Sequence, residues 1–229
     1  MRKFFFRIFF YPLILFGRET FIQEIKLEGP ITNPKQEISG MDWYGEKLFL
    51  LPENLGGYLF MLSEKEIQEH ISSGKGSLKP EKTIFKTPDY SKFISGFDGF
   101  EALAFDGNDV YISIEAEQDG MMVGYLAWGS INPNSYEINI GEKNIQKVNT
   151  PIQIDNLSFE SIINHNKRLL LIYEANGSNL RKDPYQLSFS VNDLSLSRIK
   201  SPNIEYRITD ATKVKNNKFW AINYYWPGD

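Results

Sequence analysis

One pattern occurs four times in this chain of 229 residues. Each copy begins with a small or acidic residue, alternates between apolar and polar residues, makes a turn and continues as a second apolar run. The copies are Ser39–Glu53, Glu101–Glu115, Glu160–Glu174 and Asp210–Tyr224. Their first residues are 62, 59 and 50 residues apart (101−39, 160−101 and 210−160). Recurrence at a fixed period is the sequence signature of a repeat architecture, in which each repeat forms one supersecondary unit.

Each copy predicts a β-hairpin, because two alternating runs flank turn residues such as Gly107-Asn108. Two more apolar runs follow each of the first three copies. These runs are 57–62 and 82–86, 122–128 and 144–148, and 185–190 and 196–200. Four strands in a repeat of roughly 50–60 residues are typical of a β-propeller blade. The sequence therefore predicts an all-β fold, a β-propeller with four-stranded blades in a single domain over residues 18–229.

The number of blades leaves two interpretations open. Three blades are complete, and the fourth repeat supplies a hairpin alone, which gives about three and a half blades and an incomplete ring. Either the chain is a shortened form of a longer propeller, or it closes with a few irregular blades. A predicted strand at 21–27 could complete the terminal blade. An incomplete ring would expose open strand edges, through which copies of the chain could oligomerise.

The N-terminal segment differs from the rest of the chain. Arg2 and Lys3 precede a short apolar run that ends at Phe16 and is interrupted by Arg7 and Pro12. A membrane-spanning helix needs about 20 apolar residues, and this run is shorter. Residues 1–17 therefore predict a signal peptide or an N-terminal anchor. The protein is expected to be exported, periplasmic or on the outer surface, with membrane contact only through this segment.

Composition excludes several kinds of function. The chain has no cysteine, so thiolate zinc sites and a cysteine nucleophile are excluded. A net charge of −4 argues against nucleic acid as a partner. The two histidines fall on a predicted short helix (63–71, with His70) and in a hairpin turn (His165). Neither position suits a Ser-His-Asp triad, and no Gly-x-Ser-x-Gly motif occurs.

Several stretches resemble the bacterial phytase-like propellers, a family often labelled "esterase-like activity of phytase". The stretches are Phe100–Glu115, Leu157–Glu160 with Leu171–Ala175, and Thr209–Thr212 with Phe219–Asp229. The resemblance covers residues 38–229 and rests on the style of the repeats rather than on one diagnostic motif. It implies an exported, six-bladed propeller with acidic residues around the central channel and a capacity to bind calcium. The chain lacks the Asp-Asp-Pro-Ala motif of the true propeller phytases, which argues against phytate hydrolysis.

The acids at the two ends of each repeat are the candidate functional residues. Residues equidistant from the turn of an antiparallel hairpin face each other, so Glu101 is expected opposite Glu115, and Glu160 opposite Glu174. The first strand of a propeller blade lines the channel, which is expected to bring these acids to one mouth of it. Asp42 could join them from the first repeat.

Paired carboxylates in a confined site need a compensating cation, because like charges opposite each other destabilise a sheet. Oxygen ligands in number suit Ca²⁺ or Mg²⁺, and calcium is the predicted cofactor. The predicted metal ligands are Glu53, Glu101, Glu115, Glu160, Glu174 and Asp210. In the alternative interpretation these acids are structural, and they accept backbone N–H bonds or pair with Lys82, Arg168 or Arg207.

Two functions follow from these interpretations. The first is a metal-dependent esterase or phosphoesterase that acts on a small or phosphorylated substrate, with Glu101 and Glu160 as candidate catalytic bases. The second is a non-catalytic binding or scaffold propeller. The lack of a well-placed histidine or nucleophile favours the second, and the doubled carboxylates favour the first.

Overall fold

The computed structural model describes residues 23–54, 56–154, 156–175, 177, 180 and 182–225, and it is all-β with one short α-helix. The predicted N-terminal signal or anchor, residues 1–17, lies outside the described residues. No helix in the described part of the chain has the length and apolarity that crossing a bilayer requires.

The strands form three antiparallel units of four strands, here called meanders 1–3, and a terminal hairpin. Meander 1 contains β1 (Ile38–Tyr44), β2 (Lys47–Pro52), β3 (Gly57–Ser63) and β4 (Glu81–Lys86). Meander 2 contains β5 (Phe97–Asp106), β6 (Asp109–Gln118), β7 (Met121–Ile131) and β8 (Ile138–Asn149). Meander 3 contains β9 (Phe159–His165), β10 (Arg168–Tyr173), β11 (Tyr185–Ser190) and β12 (Leu196–Lys200). The terminal hairpin contains β13 (Arg207–Ala211) and β14 (Ala221–Tyr224).

The predicted hairpins are confirmed, and turn chemistry explains them. In the third repeat the turn residues Asn166 and Lys167 both have positive φ, and in the fourth Asn216 and Asn217 do. Two consecutive residues with positive φ match the right-handed twist of the flanking strands, and asparagine tolerates this conformation. The short helix is also confirmed as α1 (Glu64–Ser73), which begins with a capping box between Ser63 and Glu66.

Meanders 1 and 2 join into one sheet in the order β1-β2-β3-β4-β8-β7-β6-β5. A short parallel ladder connects them through two residue pairs, Phe85 with Ile138 and Lys86 with Asn139. The two edge strands of this sheet, β1 and β5, pack against each other, so the sheet is nearly closed. Strand β5 also packs against β9, and β9 against β13. The first strands of the four repeats are therefore neighbours in chain order.

The core lies between successive meanders, and β6 shows why. Val110, Ile112 and Ile114 belong to a cluster shared with meander 1, whereas Tyr111 belongs to a cluster shared with meander 3. Successive side chains of a strand point to opposite faces, so this strand is buried on both of them. A smaller cluster around Ile163 and Ile208 joins meander 3 to the terminal hairpin.

The predicted role of residues 21–27 is wrong. Leu27 forms a parallel bridge with Leu78 and packs with Phe60 and Leu62 on the outer face of meander 1, so it is not paired with the terminal hairpin. The apolar alternation predicted a strand, but in the described residues 23–27 only Leu27 forms a bridge, because pairing depends on chain that is distant in sequence. Residues 21 and 22 lie outside the described part.

Gly40 provides a test of the close packing between β1 and β5. A Cβ atom at this position would lie 3.0 Å from backbone atoms of Glu101, Ala102 and Leu103. We expect Gly40→Ala to lower the free energy of unfolding by about 1–3 kcal/mol, because backbone cannot move aside as a flexible side chain can. Urea denaturation measures the change. Gly56→Ala is the matched control, since a Cβ there meets nothing within 4 Å; equal effects of the two substitutions would contradict the packing.

Candidate functional site

The first strand of every repeat contains a β-bulge at the same position. The pairing register shifts by one residue at Ser39, Glu101, Glu160 and Thr209, each of which is left without a single cross-strand partner. A bulge re-aims its side chain out of the regular alternation, and bulges are enriched next to active sites. All four bulged residues line one cavity, so the repeat brings four equivalent side chains to a common place.

The predicted cross-strand pairs of acids are wrong. Glu115 lies opposite Gly99 rather than Glu101, and Glu174 lies beyond the last paired residue of β10. Each hairpin has a two-residue turn, which moves its centre by half a residue from the predicted one, and the bulge then absorbs one further residue. A bulge changes which residues face each other without changing the hydrophobic pattern, so the sequence pattern did not reveal it.

The bulged acids meet second-strand acids of neighbouring repeats instead. Glu53 follows β2, and its carbonyl accepts a bond of 3.4 Å from the backbone N–H of Phe100 in β5. A Cβ atom at Gly99 would lie 2.5 Å from Cγ of Glu53, so only glycine leaves room for this side chain. Between meanders 2 and 3, the Ser113 hydroxyl donates a bond of 2.8 Å to the carbonyl of Phe159, next to Glu160.

The cavity where these side chains meet, here called the acidic pocket, has a volume of about 430 Å³. Among the described residues, its walls contain six acids and no lysine, arginine or histidine. The acids are Glu53, Asp98, Glu101, Glu115, Glu160 and Asp210. Sequence reasoning identified five of them and missed Asp98. This residue precedes the repeat copy by three positions and lies at a second bulge of β5, where the register shifts between Phe97 and Gly99.

Glu174 and Asp42 have different surroundings. Glu174 is buried and forms an ion pair of 3.6 Å with Arg207. Arg207 is one of the cations that the alternative interpretation of the sequence proposed as partners of structural acids. Asp42 pairs with Lys213 at 3.3 Å and accepts N–H bonds from Trp43 and Phe105 at 2.7 and 2.8 Å. Neither residue lines the acidic pocket. Their charges are balanced by neighbouring donors.

Within the pocket, Asp210 accepts hydrogen bonds from the N–H of Ala211 and the hydroxyl of Ser161, but Glu101 and Glu160 have no such balance. The side chain of Glu101 is 8 % exposed, and within the described part of the chain neither its carboxylate nor that of Glu160 takes part in a hydrogen bond or an ion pair. Burial, followed by the charge of Glu160, raises the pKa of Glu101 far above its ordinary value. Burial and the neighbouring Glu174 likewise raise the pKa of Glu160, and Arg207 opposes this only in part.

Glu53 and Glu115 show the same electrostatic effect. Burial and the charges of Glu37 and Asp98 raise the pKa of Glu53 to about 7. Burial and the charge of Glu160 raise the pKa of Glu115 to about 7. Removal from water disfavours the charged form of a carboxyl group, and nearby negative charges add to that effect. Near neutral pH the acidic pocket therefore holds several protons, which a cation could replace.

Other groups that could take part in chemistry lie elsewhere. His70 is on α1, and His165 is the last residue of β9, next to the turn residue Asn166. Among the described residues, no three or more histidine, aspartate or glutamate side chains have the arrangement that would hold a metal ion. The carboxylates of the pocket would have to move towards one another to share an ion.

Comparison with protein-family models gives no match to this chain, and comparison with curated proteins gives none either. The resemblance to phytase-like propellers therefore stays a prediction that rests on the residues quoted above.

The raised pKa values predict how stability depends on pH in the absence of divalent ions. The unfolded chain releases its glutamate protons near pH 4.5, whereas folded Glu53 and Glu115 hold theirs to about pH 7. Between these values the folded chain binds more protons, so the free energy of unfolding should fall as pH rises. Urea denaturation in EDTA across this range measures the slope.

Substitution identifies the groups responsible for that slope. Glu53→Gln with Glu115→Gln should make it shallower, because glutamine does not titrate, while Glu101 and Glu160 retain their contribution. Glu117→Gln with Glu142→Gln removes the same charge from exposed positions outside the pocket and should leave the slope unchanged. Stability that rises with pH in the wild type would contradict the desolvation of the pocket.

Proposed function

We propose that the chain is a β-propeller in which meanders 1–3 are blades and the terminal hairpin is the inner half of a fourth. Three features support this proposal: the four-stranded antiparallel units, their stacking face to face in chain order, and the adjacent first strands β1, β5, β9 and β13. Blades that surround a channel are built in this way. The acidic pocket would then lie at the channel, with the bulged residues around it.

We further propose that the acidic pocket binds a divalent cation, for which Ca²⁺ is the best candidate. The observation that carries the proposal is a cavity whose described walls contain six carboxylates and no basic side chain. The donor set fits, because calcium takes six to eight oxygen ligands in flexible geometry. The first ligands to test are Glu101 and Glu160. They lie on β5 and β9, which pack against each other, and their carboxylates have no hydrogen-bond partners in the described part of the chain.

A cation in this pocket would offset the negative charge that otherwise repels an anionic substrate, and it would polarise an ester or phosphoryl oxygen. Glu101 and Glu160 are also candidates for proton transfer. Burial and the charge of Glu160 raise the proton affinity of Glu101, which favours Glu101 as the protonated member of the pair. The deprotonated member can accept a proton from water, and the protonated member can donate one to a leaving group. The proposed activity is therefore metal-dependent hydrolysis of an ester or phosphoester.

A second candidate function is a binding propeller without catalysis. It is favoured by the lack of a histidine, lysine or arginine among the described residues that line the pocket, and by the need for the carboxylates to rearrange before they share an ion. Residues 1–17 support either function outside the cytoplasm, since they predict export or anchoring. Extracellular calcium modules bind with dissociation constants of about 10⁻⁴–10⁻³ M, which sets the concentration to test.

Calcium titration of thermal stability tests the cation site. At a hundredfold excess over the dissociation constant, one site that exists only in the folded chain should add about 2.7 kcal/mol. Calorimetry in two buffers of different protonation enthalpy should also detect proton release on binding, because the ion replaces protons of the pocket. Glu101→Gln with Glu160→Gln should abolish both signals, since glutamine keeps the shape and loses the charge.

Glu117→Gln with Glu142→Gln is the matched control and should retain the full calcium response. Hydrolysis of 4-nitrophenyl phosphate and 4-nitrophenyl acetate, with calcium or with EDTA, separates the two functions. Activity that needs calcium and is lost with Glu101 and Glu160 supports the hydrolase, and binding without turnover supports the second function. A wild type that ignores calcium up to about 100 mM, a hundredfold excess over the weakest expected dissociation constant, would remove the cation site.

A further inference from the structure

A second and larger cavity lies between the start of meander 1 and the terminal hairpin. This hairpin cleft has a volume of about 1080 Å³. Trp43 and Leu48 line it on the side of meander 1, and Val214, Trp220 and Ile222 line it on the side of the hairpin. Pockets for small ligands have volumes of about 300–1,000 Å³ and are lined mainly by apolar and aromatic side chains. The cleft has the size and the walls of a ligand site.

One ion pair sets the separation of the two walls. Lys213, which follows β13, forms an ion pair of 3.3 Å with Asp42 in β1 and donates a hydrogen bond to the carbonyl of Trp43. Asp42 in turn accepts the N–H of Phe105, which connects the contact to β5. The hairpin is therefore attached to meander 1 at one end of the cleft.

Trp220 is held in place although its side chain is 83 % exposed. Its carbonyl accepts the N–H of Thr212 at 2.8 Å, and its own N–H donates to the Thr212 hydroxyl at 3.0 Å. These bonds order the backbone under a large apolar ring that contributes little to the core. Exposed aromatic surface on an ordered backbone is typical of contact sites for ligands.

Two lysines of the cleft lack a counter-charge. Lys215 and Lys218 pair across the hairpin turn, with backbone bonds of 2.8 and 3.1 Å in the two directions. Like charges directly opposite each other destabilise a hairpin. Neither ammonium group forms an ion pair in the part of the chain that the structure describes. The remaining acid in the walls, Asp210, lies on β13 at the side shared with the acidic pocket.

We propose that the hairpin cleft binds a small organic anion with an aromatic ring, of the class of aryl monophosphates. The ring packs against Trp43 and Trp220, and the phosphate lies between Lys215 and Lys218 and relieves their repulsion. Met41, Asp210 and Ile222 line both cavities, so a bound ligand borders the acidic pocket. The inference goes beyond the proposed hydrolysis and needs no metal ion.

Calorimetric titration of the full chain with phenyl phosphate in EDTA tests the site. Lys215→Gln with Lys218→Gln should weaken binding about tenfold or more, because charge-assisted hydrogen bonds to the phosphate are lost. Trp220→Ala should weaken it about tenfold through loss of ring contact. Both sets of side chains are exposed, so the variants should melt no lower than the wild type, and removal of the lysine repulsion can only raise the melting temperature.

Matched controls are available on the same chain. Lys143→Gln with Lys200→Gln removes two exposed lysines of β8 and β12, and Phe219→Ala removes the exposed aromatic neighbour of Trp220 outside the cleft. These variants should bind as the wild type does. Inorganic phosphate and phenol, each with one half of the ligand, should bind much more weakly than phenyl phosphate.

Three results would overturn the proposal: no binding of phenyl phosphate, equal binding of inorganic phosphate, or equal losses in the cleft and control variants. A fourth is a phenyl phosphate affinity that declines as the concentration of the chain rises, together with a larger elution volume for Trp220→Ala in size-exclusion chromatography. These two results would show that a second copy of the chain covers the cleft. Since the titration contains no calcium, a failed calcium response would not affect its outcome.

Discussion

The architecture depends on the burial of meander 2 between its two neighbours. Strand β6 sends alternate side chains into two separate clusters, one shared with meander 1 and one with meander 3. This packing brings β1, β5 and β9 together and removes the acids between them from water. Desolvation is the largest cause of every raised carboxyl pKa in the acidic pocket. The electrostatic character of the pocket is thus a consequence of how the hydrophobic core is divided.

The repeated bulge explains why acids converge instead of alternating away from each other. A regular strand would send Glu101 and its neighbours to fixed faces, whereas the extra residue re-aims the side chain at the strand end. Small residues follow the bulges, such as Gly40 and Ala102, and they allow adjacent first strands to approach closely. The same local irregularity, repeated four times, produces a shared cavity without any one diagnostic motif.

Two populations of acids differ in what surrounds them. Glu174 and Asp42 pair with Arg207 and Lys213, and they connect neighbouring units of the fold. Acids of the pocket such as Glu101 have no such partners among the described residues. Removing an acid of the first group leaves a partly buried cation without its partner, whereas removing one of the second relieves repulsion. That difference divides the acids of one repeated pattern into two groups with different electrostatic surroundings.

The sequence by itself determined the hairpins, the four-strand units and α1, because hydrophobic alternation, turn residues and a capping box act over a few neighbouring residues. It also indicated most acids of the pocket through their equivalent places in the repeats. Only the tertiary structure decided the bulged register, the inclusion of Asp98, the pairing of Leu27 with Leu78 and the hairpin cleft. Each of these depends on contacts between segments distant in the chain. Local patterns specify which face of a strand is buried, but the partner that buries it is chosen by packing of the whole fold.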